Sequence, residues 1–315
     1  MLDLIQITND PALARRCDAL EGMRLFVDLE RLGKAERQAG RNTFISLHTL
    51  EDVARIKAEL RRSRLMVRVN PLHAGTAAEV EDAIAQGADL LMLPMFEDAD
   101  ALREFARLVD GRRGIVPLVE TAGAMDSVAD WVATPGLWEV YVGLNDLHIS
   151  MGLRFMFEPL ALGRVDAVAR IVQAQGLRFG FGGIARLDEG LLSGRQVLGE
   201  HLRLGSRSVI LSRTFHRDDP DAVFEDEVAA LRHDVEQLGA QGGLDARRAL
   251  GQLGAGGAHP HPDLRAGLVP QARVAPHHQR RGHAREHATP FSLKVPLGAK
   301  SATNLPLMAQ PPTDH

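Results

Sequence analysis

Cysteine is almost missing from this sequence: Cys17 is the only one in 315 residues, so no disulfide forms within the chain. Aromatic residues are scarce, at 4%, with one tyrosine and two tryptophans. No apolar run approaches the ~18–20 residues of a membrane-spanning helix. The N-terminus, MLDLIQITNDP, lacks the basic stretch and apolar stretch of a secretory signal. Neither sign of charge dominates: the formal net charge is −4, which gives no hint of nucleic-acid binding. No G-x-x-x-x-G-K-[ST] occurs, and no G-x-G-x-x-G follows the first apolar strand, so P-loop and dinucleotide chemistry are not expected. These absences leave a cytoplasmic globular protein. Its 45% hydrophobic content suffices for a core that holds a buried site without disulfides or a structural metal.

Histidine is the exception, with 13 residues. Seven of them lie in 239–315, with nine of the 16 prolines and nine Lys/Arg against four Asp/Glu. The composition breaks near Leu238-Gly239-Ala240. Beyond it no amphipathic period persists and little is worth burying, which predicts a disordered tail. Metal capture by these histidines is the rival reading, but HPH and HH lack fixed spacing and partner carboxylates. Text of this kind also arises when a G+C-rich coding region is read out of frame. In every case function rests on residues 1–238.

In that region short apolar, β-branched segments alternate with helical patterns. The expected strands are Leu4–Ile7, Leu25–Asp28, Leu65–Asn70, Leu90–Leu93, Ile115–Val119, Val140–Gly143, Phe179–Phe181 and Val209–Leu211, with a minor extended piece at Phe44–Leu47. The expected helices are 11–19, 49–61, 76–86, 98–109, 123–133, 159–175, 188–198 and 219–238. Thr49 with Asp52, and Thr76 with Glu79, have capping-box spacing. Gly87 and Gly176 suit helix C-termini. Eight strands alternating with eight helices in this length predict an α/β fold of the (β/α)8 TIM-barrel type. A doubly wound sheet is the alternative.

In such a barrel the strands' C-terminal ends share one face, where chemistry sits. The residues there are Asp28-Leu29-Glu30, Arg68 with Asn70, Pro94, Glu120, Asn145-Asp146, Gly182-Gly183 and Arg213. Glu120 and Asp146 end neighbouring strands, where their carboxylates can share a hard divalent ion such as Mg²⁺ or Mn²⁺. Its open positions suit the carboxylate and keto oxygen of a 2-oxo acid, with Arg68 stabilising the developing enolate oxygen. Glu30 or Asp28 would order water on the ion. Asn70, Gly182 and Gly183 join Arg68 as substrate-facing candidates, the glycines keeping the mouth open. Bland readings stand beside these: Glu120 and Asp146 as complements to helix N-termini, Arg68 paired structurally with Asp28, and the glycines as a simple turn. His48 is the first candidate for acid/base work and His148 the second. Either also suits a structural role, and metal-bound water is a base that needs no histidine.

The blocks V-R-V-N-P-L (67–72), G-A-D-L-L-M-L-P (87–94), L-V-E-T-A-G-A (118–124) and V-G-L-N-D-L-H-I-S-M-G (142–152) resemble, in order and spacing, the HpcH/HpaI aldolase and citrate lyase β-subunit family. The resemblance spans about residues 1–217. It implies a (β/α)8 barrel related to enzymes of phosphoenolpyruvate and pyruvate, and carbon–carbon lyase or aldolase activity on a 2-oxo acid with an aldehyde or acyl partner. It implies Mg²⁺ or a similar ion on Glu120 and Asp146, Arg68 on the 2-oxo acid, and a homo-oligomer, trimer or hexamer. Two departures stand out. The D-x-E-H string of the hydroxy-oxo-acid aldolases is Asp28-Leu29-Glu30-Arg31 here, so its histidine is absent. Their glutamine two before the metal glutamate is Leu118. Both points look more like the citrate lyase β type and raise a CoA-thioester lyase as an alternative. A binding protein that lost catalysis is a third. The segment Leu32–Thr49, with Lys34, Arg37, Arg41 and His48, fits neither type; a basic loop there could meet a phosphate or second carboxylate, or be a solvated loop.

Overall fold

The computed structural model describes residues 1–34, 46–190, 192–216 and 223–240. Their strands are β1 (Asp3–Ile7), β2 (Met23–Asp28), β3 (Arg64–Arg68), β4 (Leu90–Leu93), β5 (Gly114–Val119), β6 (Glu139–Val142), β7 (Arg178–Ile184) and β8 (Ser208–Leu211). Each pairs in parallel with the next, and β8 closes on β1, so the sheet is a closed barrel. The expected fold class is the one observed.

Strand alternation divides the core into two layers. One alternating set, Ile5, Phe26, Met66, Leu90, Met92, Val116, Leu118 and Tyr141, fills the barrel interior. The other, including Leu25, Val27, Leu65, Val67, Val140 and Phe181, packs outward with the helices. The helix Ala99–Val109 shows how a helix is seated. Ala99, Leu102, Phe105 and Val109 recur on one face and are buried. Asp98 caps its start, accepting from the Ala101 amide at 2.9 Å.

Several expected boundaries move. The Thr49/Asp52 capping box forms, but the Thr76/Glu79 one does not. Gly75 is the N-cap there, while Thr76 accepts from the His73 amide and Glu79 binds Asn70. The helix expected at 159–175 splits into Glu158–Ala161 and Arg164–Ala174, because Gly163 turns left-handed at φ 70°. The one expected at 188–198 runs Gly194–Arg203, started by a capping box of Ser193 and Gln196. β3 stops at Arg68, which leaves Asn70 beyond the strand. β7 continues through Gly182 and Gly183 to Ile184, with a register shift between Gly180 and Gly183. The last helix, Phe224–Ala240, crosses the expected break at Leu238. The tail beyond it, and Phe44 and Ile45 of the minor extended piece, lie outside the described residues. Among the described residues no helix is long and apolar enough to cross a membrane.

Candidate active site

Arg68 ends β3 directly opposite Asp28 of β2 in the strand register. The guanidinium therefore meets the carboxylate as a fork, with Nε and Nη2 at 2.8 and 2.7 Å from its two oxygens. Nη2 also stands 3.4 Å from Glu30. Lys34 completes the group, with Nζ at 2.8 Å from Asp28 and 3.3 Å from Glu30. Asp28, Glu30 and Lys34 are all buried. Burial pushes the Asp28 carboxyl up, but Arg68 and then Lys34 outweigh it and hold the group well below the usual carboxylate range. Burial opposes the charge on Arg68, yet Asp28, Glu30 and Glu120 more than restore it and raise its pKa.

Glu120 follows β5 and is buried. Its Oε1 accepts from the Met95 amide at 3.1 Å. Met95, just past β4, holds φ at 55°, an unfavourable value for a non-glycine residue, and this aims its N–H at Glu120. Thr121, not Glu120, caps the helix Ala122–Asp126, through an Ala124 amide bond of 3.1 Å.

Asp146 lies in the first turn of the helix Leu144–Ser150, which follows β6 through Gly143. That glycine has a steric reason: a Cβ would meet Oε2 of Glu120 at 3.0 Å and its Cβ at 3.1 Å. The Glu120 side chain thus lies against the link that carries Asp146. Asp146 is half-buried and has no hydrogen bond or ion pair among the described residues. The buried Glu120 carboxylate and the half-buried Asp146 one, carried by adjoining strand ends, are the hard oxygen donors that fit a divalent cation bound through few protein ligands. Among the described residues no group of three or more His, Cys, Asp or Glu forms a closed metal cage. The site that fits is an open one.

The other expected site residues are placed differently. Asn70 turns away into the loop fabric: its Oδ1 accepts from the Arg31 and Leu32 amides, and its Nδ2 donates to Glu79 at 2.6 Å. His48 sits behind β2, its Nδ1 accepting from the Asp28 amide at 3.1 Å. Burial lowers its pKa, against the pull of Asp28 and Asp52. It lines a groove of about 460 Å³ with Asn70, His73 and Glu79. His148 bonds the Leu144 carbonyl one helical turn back, at 3.2 Å. Gly182, at φ 55°, faces Leu144, and its carbonyl accepts from the Tyr141 hydroxyl at 2.6 Å. Arg37 and Arg41 lie outside the described residues. The sequence presents Lys34 only as part of a basic loop, and no side-chain pattern marks Met95. A capping-like D-x-E string with a lysine four residues after its glutamate is the one signal for the first.

Solved structures share this fold. An HpcH/HpaI aldolase from Desulfitobacterium hafniense DCB-2 is 16% identical, covers 67% of this chain and 86% of its own, and superposes with a TM-score of 0.52. A family protein from Burkholderia cenocepacia J2315 is 18% identical over 75% of this chain and 94% of its own, with a TM-score of 0.53. The citrate lyase β subunit from M. tuberculosis, complexed with oxaloacetate and magnesium, is 19% identical over 74% of this chain and 96% of its own, with a TM-score of 0.52. Among curated proteins none matches in sequence. The sequence pattern described as HpcH/HpaI aldolase/citrate lyase matches residues 7–180, more than half of the chain, and the protein belongs to that family.

Proposed function

We propose that this protein is a divalent-metal-dependent carbon–carbon lyase of the aldolase type, acting on a 2-oxo acid through a pyruvate-type enolate. The observation that carries the reading is the pair of oxygen donors at the mouth: Glu120 is buried against the link that carries Asp146, and the Asp146 side chain has no hydrogen bond or ion pair among the described residues. Glu120 and Asp146 would hold Mg²⁺ or Mn²⁺, which supplies Lewis-acid polarisation of a bound carbonyl. The M. tuberculosis relative was solved with that kind of ion and a 2-oxo acid.

The chain's own residues then divide the work. Asp28 fixes two nitrogens of Arg68, and Nη1 has no hydrogen-bond partner among the described residues. That nitrogen is the donor left for a substrate oxygen, where it stabilises charge as it develops. Lys34 and Arg68 both pair with Glu30, which would order water at the mouth. An aldehyde or acyl partner completes the substrate. The reading includes a homo-oligomer, trimer or hexamer, which sedimentation tests, and a cytoplasmic location.

Glu120→Ala and Asp146→Ala are each expected to lower metal-stimulated pyruvate release from hydroxy-oxo acids by about 10²–10³-fold. EDTA should do the same to the unaltered protein, and Mg²⁺ should restore it. Full activity in both variants would sink the assignment, and no heat on titrating Mg²⁺ with oxalate would favour a binding protein that lost catalysis. A CoA-thioester lyase of the citrate lyase β type is the second reading. It is favoured by Leu118, which lies in the barrel interior where the hydroxy-oxo-acid aldolases carry glutamine. Malyl-CoA-type thioesters assayed against free hydroxy-oxo acids separate the two.

A further inference from the structure

The opposite end of the barrel carries a second charged cluster with no part in this chemistry. Arg24, Arg62, Arg64, Arg178, Trp138 and Asp3 line a cavity of about 490 Å³ there. The guanidinium carbons of Arg24, Arg178 and Arg64 stand 4.5, 4.7 and 5.4 Å from the centre of the Trp138 ring. These residues come from the N-terminal ends of β2, β7 and β3, and Trp138 directly precedes β6.

Two of the arginines are neutralised. Arg24 is buried and pairs with Glu139 and, at 2.9 Å, with Asp3. Arg178 pairs with Asp3 at 2.6 Å and Glu139 at 3.4 Å. The other two have no carboxylate partner among the described residues. Arg62 gives one long bond, 3.4 Å, to the Ala19 carbonyl. Arg64 is exposed, rests on the indole, and lies opposite Arg24 in the β2–β3 register. Like charges so placed repel, and the ring offsets only part of the cost. The cavity therefore holds two surplus positive charges on planar, forked donors, over a base of buried ion pairs that fixes the ring beneath them.

We propose that this cavity binds the phosphate group of a small metabolite. Two surplus charges match a phosphate dianion, and two guanidinium forks match its acceptor oxygens. A cavity of about 490 Å³ lies within the size range of small-molecule sites and leaves room beyond one phosphate for the rest of an ester or nucleotide.

The test is calorimetric titration of the full chain, in EDTA and a sulfonate buffer at low salt, with inorganic phosphate, pyrophosphate and AMP in separate arms. At least one should bind saturably and raise the melting temperature. Whichever arm is tightest tells free phosphate from a diphosphate or a nucleotide. In the Arg62→Ala/Arg64→Ala double variant binding should weaken at least about tenfold. Arg64→Lys, which keeps the charge and loses the fork, should fall between, and Arg68→Lys at the other end of the barrel should leave binding unchanged. Absence of heat and of a melting shift at millimolar concentrations overturns the proposal. So does equal binding by the double variant, or binding that only Arg68→Lys abolishes. Because the first readout uses the unaltered protein, a variant that failed to fold would not shelter the idea.

Discussion

Lys34 stands between Asp28 and Glu30 with most of its surface lost to solvent. Removing one partner from such a cluster leaves a carboxylate buried with less compensation than it needs. Lys34→Met is therefore expected to destabilise the fold by about 3 kcal/mol, measured by chemical denaturation, and to lower kcat more than it raises KM. A loss under about 0.5 kcal/mol would mean that the ammonium is solvated rather than locked. A second residue adds to the acid sensitivity of the fold. His201 is fully buried and stacked at 3.8 Å on Phe181; its Nδ1 meets Ser206 Oγ at 2.9 Å, while its Nε2 lacks a partner. Burial pushes its pKa down to about 3 from 6.5. The unfolded chain takes up this proton below about pH 6.5 and the folded one does not. The contribution is thus complete above that pH and is lost as pH falls toward 3. Denaturation midpoints should decline across that window, and His201→Gln should flatten the decline. An unchanged slope in the variant would place the acid sensitivity elsewhere.

At the scale of elements, the decisive junction is the one from β6 through Gly143 into the helix Leu144–Ser150. A methyl group on Gly143 would press on both Oε2 and Cβ of Glu120. Gly143→Ala is expected to weaken Mg²⁺ binding by about 10–100-fold at nearly unchanged melting temperature, read by titration calorimetry. Unaltered affinity would mean that Glu120 relaxes freely. Strand ends such as these were readable from sequence, because an acid just after an apolar β-branched run has one place to go in a parallel barrel. That rule places Glu120, Asp146 and Arg68 at or just past strand ends, and the structure has them there. The position of Asn70 two residues past the end of β3, and of His48 behind β2, is not legible in the same way, because neither leaves a trace in periodicity. The Met95 amide is not legible, because a backbone φ is not written in side-chain pattern. The Arg24–Glu139 pair escaped because charged residues at strand starts break the alternation by which strands are recognised.

For the whole molecule, the helix Phe224–Ala240 is the last element among the described residues, and Val228, Leu231 and Leu238 belong to the core. Truncation after Ala240 is expected to leave the melting temperature within about 2 °C and turnover unchanged, by calorimetry and a pyruvate assay. Truncation before Phe224 should abolish folding. If the shorter loss alone removed activity, the 239–315 segment would have to be given a working role. Enclosed by all of these elements is an interior packed with Phe26, Met66, Met92 and Tyr141. It is a plug rather than a tube, so nothing diffuses from the carboxylate mouth to the arginine-ringed end. The two faces are separable for engineering: loops at one can be exchanged, or a foreign binding surface grafted, with the other left as a built-in control for correct folding.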